Sequence, residues 1–217
     1  MQSLHLCVEG ECLVSFFNLL QRGFQLRTEV GVSVRTALTR GIGLDEALLD
    51  KIQTVFLDGK AVDDFESSVI RDGSVLALSA AMPGLVGATL RRGSFYAAMR
   101  SNITSTAVCD TAGPKEGKVT MKLFNLMIKE LGPFLLERGI LVEKDVLQGF
   151  VAEQPREFWM SCEEARIDGR QVECESLRKM TWLDADDLIC LEVVAGSTKN
   201  SIGKNEALLL PSPGREH

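Results

Sequence analysis

The sequence predicts an α+β chain made of two tandem copies of one small domain, each a mixed sheet wrapping one main helix. Three matches in the same order predict the duplication. LVSFFNLL, Leu13 to Leu20, returns as VTMKLFNLM, Val119 to Met127, so that Phe17, Asn18 and Leu19 recur as Phe124, Asn125 and Leu126. FLDGKAV, Phe56 to Val62, returns as RIDGRQV, Arg166 to Val172, with Asp58-Gly59 recurring as Asp168-Gly169. VLALSAAMPG, ending at Gly84, returns as LICLEVVAG, ending at Gly196, each entered through an acidic turn. The spacing between copies lengthens by only a few residues from the first match to the last. Copy one therefore spans residues 1–84 and copy two 106–196, with a linker over 85–105 and a disordered tail over 197–217.

Within copy one, Cys12 to Leu20 is an apolar, β-rich run. Phe24 to Val30 alternates Phe24, Leu26, Thr28 and Val30 against Gln25, Arg27 and Glu29, the period of a half-buried strand. The two runs suggest a hairpin. Ser33 stands at a helix N-cap ahead of Val34, Ala37 and Leu38, and Gly41 is placed to end that helix. A second helical piece, Leu44 to Ile52, precedes a strand at Thr54 to Leu57. The Asp58-Gly59 pair is a tight-turn signal, and Val75 to Ala81 makes the last strand. Copy two repeats the order with strands at Val119–Met127 and near Phe134–Leu141 and a helix at Glu143–Glu153. Val146, Leu147, Phe150 and Val151 give that helix a core face. A strand through Ala165, the Asp168-Gly169 turn and a strand at Leu188–Val194 complete it. Strand, strand, helix, strand, turn, strand is the order of a ubiquitin-like β-grasp domain.

Composition narrows the function classes. A formal net charge of −6 and a pI near 5.1 repel phosphate backbones, which excludes nucleic acid as the expected partner. No segment has the apolar length of a membrane span and no basic run precedes an apolar one at Met1–Gly10, so a cytoplasmic chain is expected. Cys7, Cys12, Cys109, Cys162, Cys174 and Cys190 form no CxxC pair and read as reduced core thiols. His5 and His217 lie at opposite ends, in positions expected to be mobile, so no metal site and no histidine-activated nucleophile is expected. The acidic pairs Asp63 with Asp64, and Asp184 with Asp186 and Asp187, fall in turns and read as solvated acids. Cys162 and Cys174 lie symmetrically about Asp168, so a tight hairpin there would bring them close; reduced thiols are the first reading and a redox pair the second.

Two sets of residues are candidates for function. The stretch Gly84 to Arg100 places Arg91, Arg92 and Arg100 beside Leu90, Phe95, Tyr96 and Met99 in an otherwise acidic chain. Arginine with aromatic residues is the composition of interface hot spots, so Arg91, Arg92, Phe95, Tyr96, Met99 and Arg100 are candidate partner contacts. A packed linker is the alternative reading. The second set is Gly84 and Gly196, one at the end of each copy.

VSFFNLL, VFLDGKAV, IRDGSVLALSAAMPG and the helix after Ser33 resemble, in their order, the MoaD/ThiS sulfur-carrier proteins, over Cys12 to Gly84. VTMKLFNLMIKELG, ARIDGRQV and DADDLICLEVVAG resemble the same family in a more degenerate form, with an insertion before Asp168. The resemblance implies a β-grasp fold and, in the family, a free C-terminal diglycine that an activating enzyme adenylates and that then carries sulfur as a thiocarboxylate. Here the matching positions are Pro83-Gly84 and Ala195-Gly196-Ser197; neither is a diglycine and more chain follows both. The expectation is a non-catalytic, cofactor-free module that binds a protein partner through a sheet face or edge. The alternative is a processed or atypical sulfur carrier of molybdopterin or thiamine type, working with an activating enzyme after cleavage at Gly84 or Gly196.

Overall fold

The computed structural model describes residues 1–80, 84–91, 95, 113–180 and 187–196. Chain order begins with β1 (Ser3–Val8), a 3-10 turn (Gly10–Phe16), α1 (Phe17–Arg22), β2 (Phe24–Val30) and β3 (Val32–Ser33). Helix α2 (Val34–Thr36) continues as a π-turn over Ala37–Ile42, followed by α3 (Glu46–Lys51). β4 (Thr54–Leu57), β5 (Lys60–Ala61), β6 (Val69–Ile70), β7 (Val75–Ser79) and α4 (Gly84–Leu90) come next. The second half holds β8 (Lys115–Phe124), α5 (Leu126–Arg138), β9 (Ile140–Glu143), α6 (Lys144–Glu153) and α7 (Arg156–Met160). It closes with β10 (Cys162–Ile167), β11 (Arg170–Val172), a 3-10 turn (Cys174–Lys179) and β12 (Leu188–Ala195).

Several elements follow from local chemistry as read. The Ser33 hydroxyl accepts from the Thr36 amide at 3.1 Å, capping the helix predicted after it. Asp45 caps α3 by accepting from the Leu48 amide at 2.8 Å. Asp58 and Asp168 adopt φ of 50° and 49°, each followed by a glycine at positive φ, the two-residue turn that Asp-Gly favours. The helix after Ser33 runs one residue past Gly41 to Ile42 and ends on Gly43, whose φ of 91° is the left-handed cap.

Two expected strands are helical instead. Cys12–Leu20 forms the 3-10 turn and α1, because its buried residues Phe16, Leu19 and Leu20 recur at helical and not alternating spacing. No hairpin joins it to β2. Likewise the segment at Phe134–Leu141 belongs mostly to α5, whose buried Met127, Ile128, Leu131, Leu135 and Leu136 line one helical face despite Pro133. The strand expected through Met127 stops at Phe124, where Asn125 turns to a φ of 53°. Phe17-Asn18-Leu19 thus lies inside a helix while Phe124-Asn125-Leu126 spans a strand-to-helix junction.

The expected pair of separate sheets is replaced by one ten-stranded mixed sheet, in the order β11-β10-β1-β12-β9-β2-β8-β7-β4-β5, with β3 and β6 forming a small second sheet. The reason lies in the central strands. β8, from residues 106–196, inserts between β2 (antiparallel) and β7 (parallel), both from residues 1–84. Reciprocally, β1 inserts between β12 (parallel) and β10 (antiparallel). The two sets of five strands meet where β9 and β2 share the single pair Gln25–Leu141.

A repeated local device anchors one strand of the central parallel pair in each set. In the first set the Asp58 carboxylate accepts from the Val75 amide (2.7 Å) and the Ser74 hydroxyl (3.1 Å), at the start of β7. In the second set the Asp168 carboxylate accepts from the Ser3 amide (2.8 Å) and hydroxyl (3.3 Å), at the start of β1. The Asp-Gly turn of each hairpin therefore anchors the neighbouring strand, and in the second set that strand comes from the opposite end of the chain.

One continuous apolar core runs under both sets of strands. Leu4, Leu6 and Val8 of β1 face it beside Ala165, Ile167, Leu191 and Val193, while Val119, Met121 and Leu123 of β8 face it beside Leu26, Leu76 and Leu78. Phe16 stacks against Phe150 of α6 and Phe158 of α7, with ring centroids 4.9 and 5.7 Å apart. At the far end of α5, the Arg138 guanidinium donates to the carbonyls of Ile42 and Gly41 and so satisfies the C-terminus of the helix after Ser33.

Candidate functional site

Helix α4 begins at Gly84, the first of the two candidate glycines. Gly84 is exposed, has a φ of 78° and opens a helix, so it stands in mid-chain with no atom near the position a side chain would take. Leu85 follows with 70% of its surface exposed. Gly87 is buried, and its carbonyl accepts from the Arg91 amide at 3.0 Å, which closes the helix. Arg91 is exposed, and Phe95 is exposed to 91%. Arg92, Tyr96, Met99 and Arg100 lie outside the described residues, as does most of the helical turn expected at Phe95–Arg100. Of the six candidate contacts, two are thus placed, Arg91 and Phe95, and both reach the surface. Leu85 was missed because a leucine beside a strand end looks like core.

Gly196 sits at the end of β12. Its amide donates to the Val8 carbonyl at 2.7 Å, continuing the β1–β12 ladder by one residue. A side chain there would begin 2.5 Å from Oε2 of Glu163, so the Glu163 carboxylate closes over this glycine. Ser197 and the tail beyond it lie outside the described residues.

His5, expected at a mobile end, is instead inside β1 between β10 and β12, with Nδ1 3.4 Å from Oε1 of Glu192. Cys7, Cys12, Cys162, Cys174 and Cys190 are free and partly buried, and Cys109 lies outside the described residues. Burial, and next the charge of Glu163, pushes the Cys7 thiol up from its ordinary range; burial does the same at Cys190, aided by Glu192. Both shifts lower the thiolate fraction at Cys7 and Cys190. Asp63 and Asp64 occupy the turn expected for them, and the Glu66 amide donating to Asp64 at 2.9 Å holds that carboxyl below its ordinary range. Asp184 and Asp186 lie outside the described residues.

A shallow cleft marks the junction of the two strand sets, lined by Gln25, Glu143, Lys144, Asp145, Asp187 and Leu188. Its charges are mixed, and among the described residues no cysteine or histidine lines it. Among the described residues no cluster of histidine, cysteine or carboxylate side chains has the geometry of a metal site, and no helix is long and apolar enough to cross a membrane. Compared with known proteins, the chain matches no protein-family model, no curated protein and no solved structure.

Proposed function

We propose that the chain is a non-catalytic, ubiquitin-like binding or assembly module related to the sulfur carriers, which engages a protein partner through Leu85, Arg91 and Phe95. The strand order of each half supports reading it as a β-grasp unit. β2-β8-β7-β4-β5 surrounds the helix after Ser33, β9-β12-β1-β10-β11 surrounds α6, and each has a parallel central pair and an Asp-Gly outer hairpin. The observation that carries the binding reading is the exposure of two large apolar side chains, Leu85 and Phe95, on either side of an exposed arginine. Apolar surface left in water is favourable to bury, and aromatic and arginine anchors supply most of the energy of protein contacts. The sheet edges are poorer contacts: β5 has two residues and β11 three, too short to template an added strand.

The carrier alternative needs a freed glycine carboxylate. Gly84 lies inside the chain at the start of a helix, and the Glu163 carboxylate closes over the Cα of Gly196. Both features weigh against it.

Cross-linking in native cells, followed by recovery of the wild-type chain and of a Leu85→Asp, Phe95→Asp variant, tests the binding reading. Both residues are exposed, so the variant keeps its fold. The expected result is a partner captured by the wild type and reduced tenfold or more in the variant, the scale of losing about 2 kcal/mol of anchor contacts. Equal capture by both chains would refute the assignment of this surface.

A further inference from the structure

The edge hairpin β10–β11 and the 3-10 turn after it bring two thiols together. Cys162 opens β10 and Cys174 opens the 3-10 turn. The hairpin register, Ala165 opposite Val172 and Ile167 opposite Arg170, carries the chain back so that Cys174 returns to the level of Cys162. The Cys174 thiol donates to the Cys162 carbonyl at 3.4 Å, and the Cys162 thiol donates to the Glu164 carbonyl at 3.4 Å. Both side chains pack on the rim of the same core. Cys7, on the neighbouring strand, is directed elsewhere: its thiol lies 3.7 Å from Oε2 of Glu163.

We propose that Cys162 and Cys174 form a reversible disulfide, with a low-molecular-weight disulfide such as oxidised glutathione as the oxidant, and that this bond clasps the edge hairpin to the turn beneath it. Burial, and next Cys174, push the Cys162 thiol well up, and in the exchange Cys174 attacks first. Its sulfur, after losing a proton to water, forms a bond to one sulfur of the oxidant as the oxidant's own S–S bond breaks and one thiolate leaves. The Cys162 sulfur, deprotonated in turn, attacks the Cys174 sulfur of this mixed disulfide and expels the second thiolate. Two protein thiols lose two electrons and two protons, and the oxidant is reduced to two thiols. Such bonds in reducing compartments are transient and sensing in character.

Peptide mapping of the full chain tests this. The protein is equilibrated with reduced or oxidised glutathione, free thiols are alkylated, and trypsin is applied without reductant. Cleavage after Arg156, Arg166, Arg170 and Arg178 leaves Cys162 on one peptide and Cys174 on another, so only a disulfide holds them together. The expected result is the linked pair of peptides 157–166 and 171–178, lost on reduction and accompanied by a rise in thermal midpoint of roughly 5–10 °C. Cys7→Ser should keep both the link and the rise, and Cys174→Ser should lose both. Unlinked peptides under oxidised glutathione, glutathione adducts that stall on single cysteines, or a link from either cysteine to the peptide that carries Cys7 would each overturn the proposal.

Discussion

Deleting residues 1–8 is expected to unfold the far end of the chain in sequence and spare the near one. β1 lies between β10 and β12, so its loss exposes an unpaired edge on both and removes Leu4, Leu6 and Val8 from the core. Each of those side chains contributes about 1.5–3 kcal/mol of burial, before any loss of ladder hydrogen bonds. Together these losses reach the scale of a whole domain's stability, about 5–15 kcal/mol. β8, β7, β4 and β5 keep all their strand partners, and β2 loses only its single pair with β9. Amide hydrogen exchange distinguishes the two ends: protection should vanish in β10 and β12 and persist in β4, β7 and β8. In a simple tandem arrangement the pattern would be the reverse, because residues 1–8 would belong to the first domain alone.

Phe16→Ala is expected to have the next largest effect. Phe16 is fully buried and its ring touches Phe150 and Phe158, both from the second half of the chain. Truncating a buried phenylalanine costs about 3–5 kcal/mol in transfer and cavity terms. Because Phe158 packs edge-on against Trp159 at 5.0 Å, the cavity also loosens the tryptophan's surroundings. Thermal unfolding followed by tryptophan emission should show a fall in midpoint of roughly 6–20 °C, with red-shifted emission before the transition. An unchanged midpoint would mean that the aromatic cluster does not join the two halves. Phe16→Leu, which refills most of the volume, should recover a large part of the loss.

What was legible in the sequence was local. Alternation in Phe24–Val30, the Ser33 cap and the Asp-Gly turns each depend on neighbouring residues, and each is found where it was read. Strand partnership is a different kind of information. Parallel pairs such as β7–β8 and β1–β12 join residues far apart, and nothing in the local pattern says which of two equivalent central strands will fill a place. Leu4, Leu6 and Val8 alternate with His5 and Cys7, a period-two signal for β1 that is absent from the strands expected above. The run Cys12–Leu20 misled because a short, nearly continuous apolar segment fits strand and helix alike. Its Phe16, Leu19 and Leu20 resolve the ambiguity only once burial is known.

The candidate surface was read in part for the same reason. Arg91 and Phe95 stood out because three arginines and two aromatic residues fall together between Gly84 and Arg100. The approach of Cys162 to Cys174 was readable from their symmetry about Asp168, although Cys174 meets its partner from the start of the 3-10 turn and not across the ladder.

Whether the chain acts as a finished module or as a carrier with a freed glycine is decided by its peptides in native cells. Digestion after Glu192 and Lys199 releases the segment that begins at Val193. The binding reading predicts only peptides that continue through Gly196-Ser197, and likewise through Gly84-Leu85. A peptide ending at Gly196 or Gly84, above all one heavier by the exchange of a carboxylate oxygen for sulfur, would contradict it and make this chain a donor.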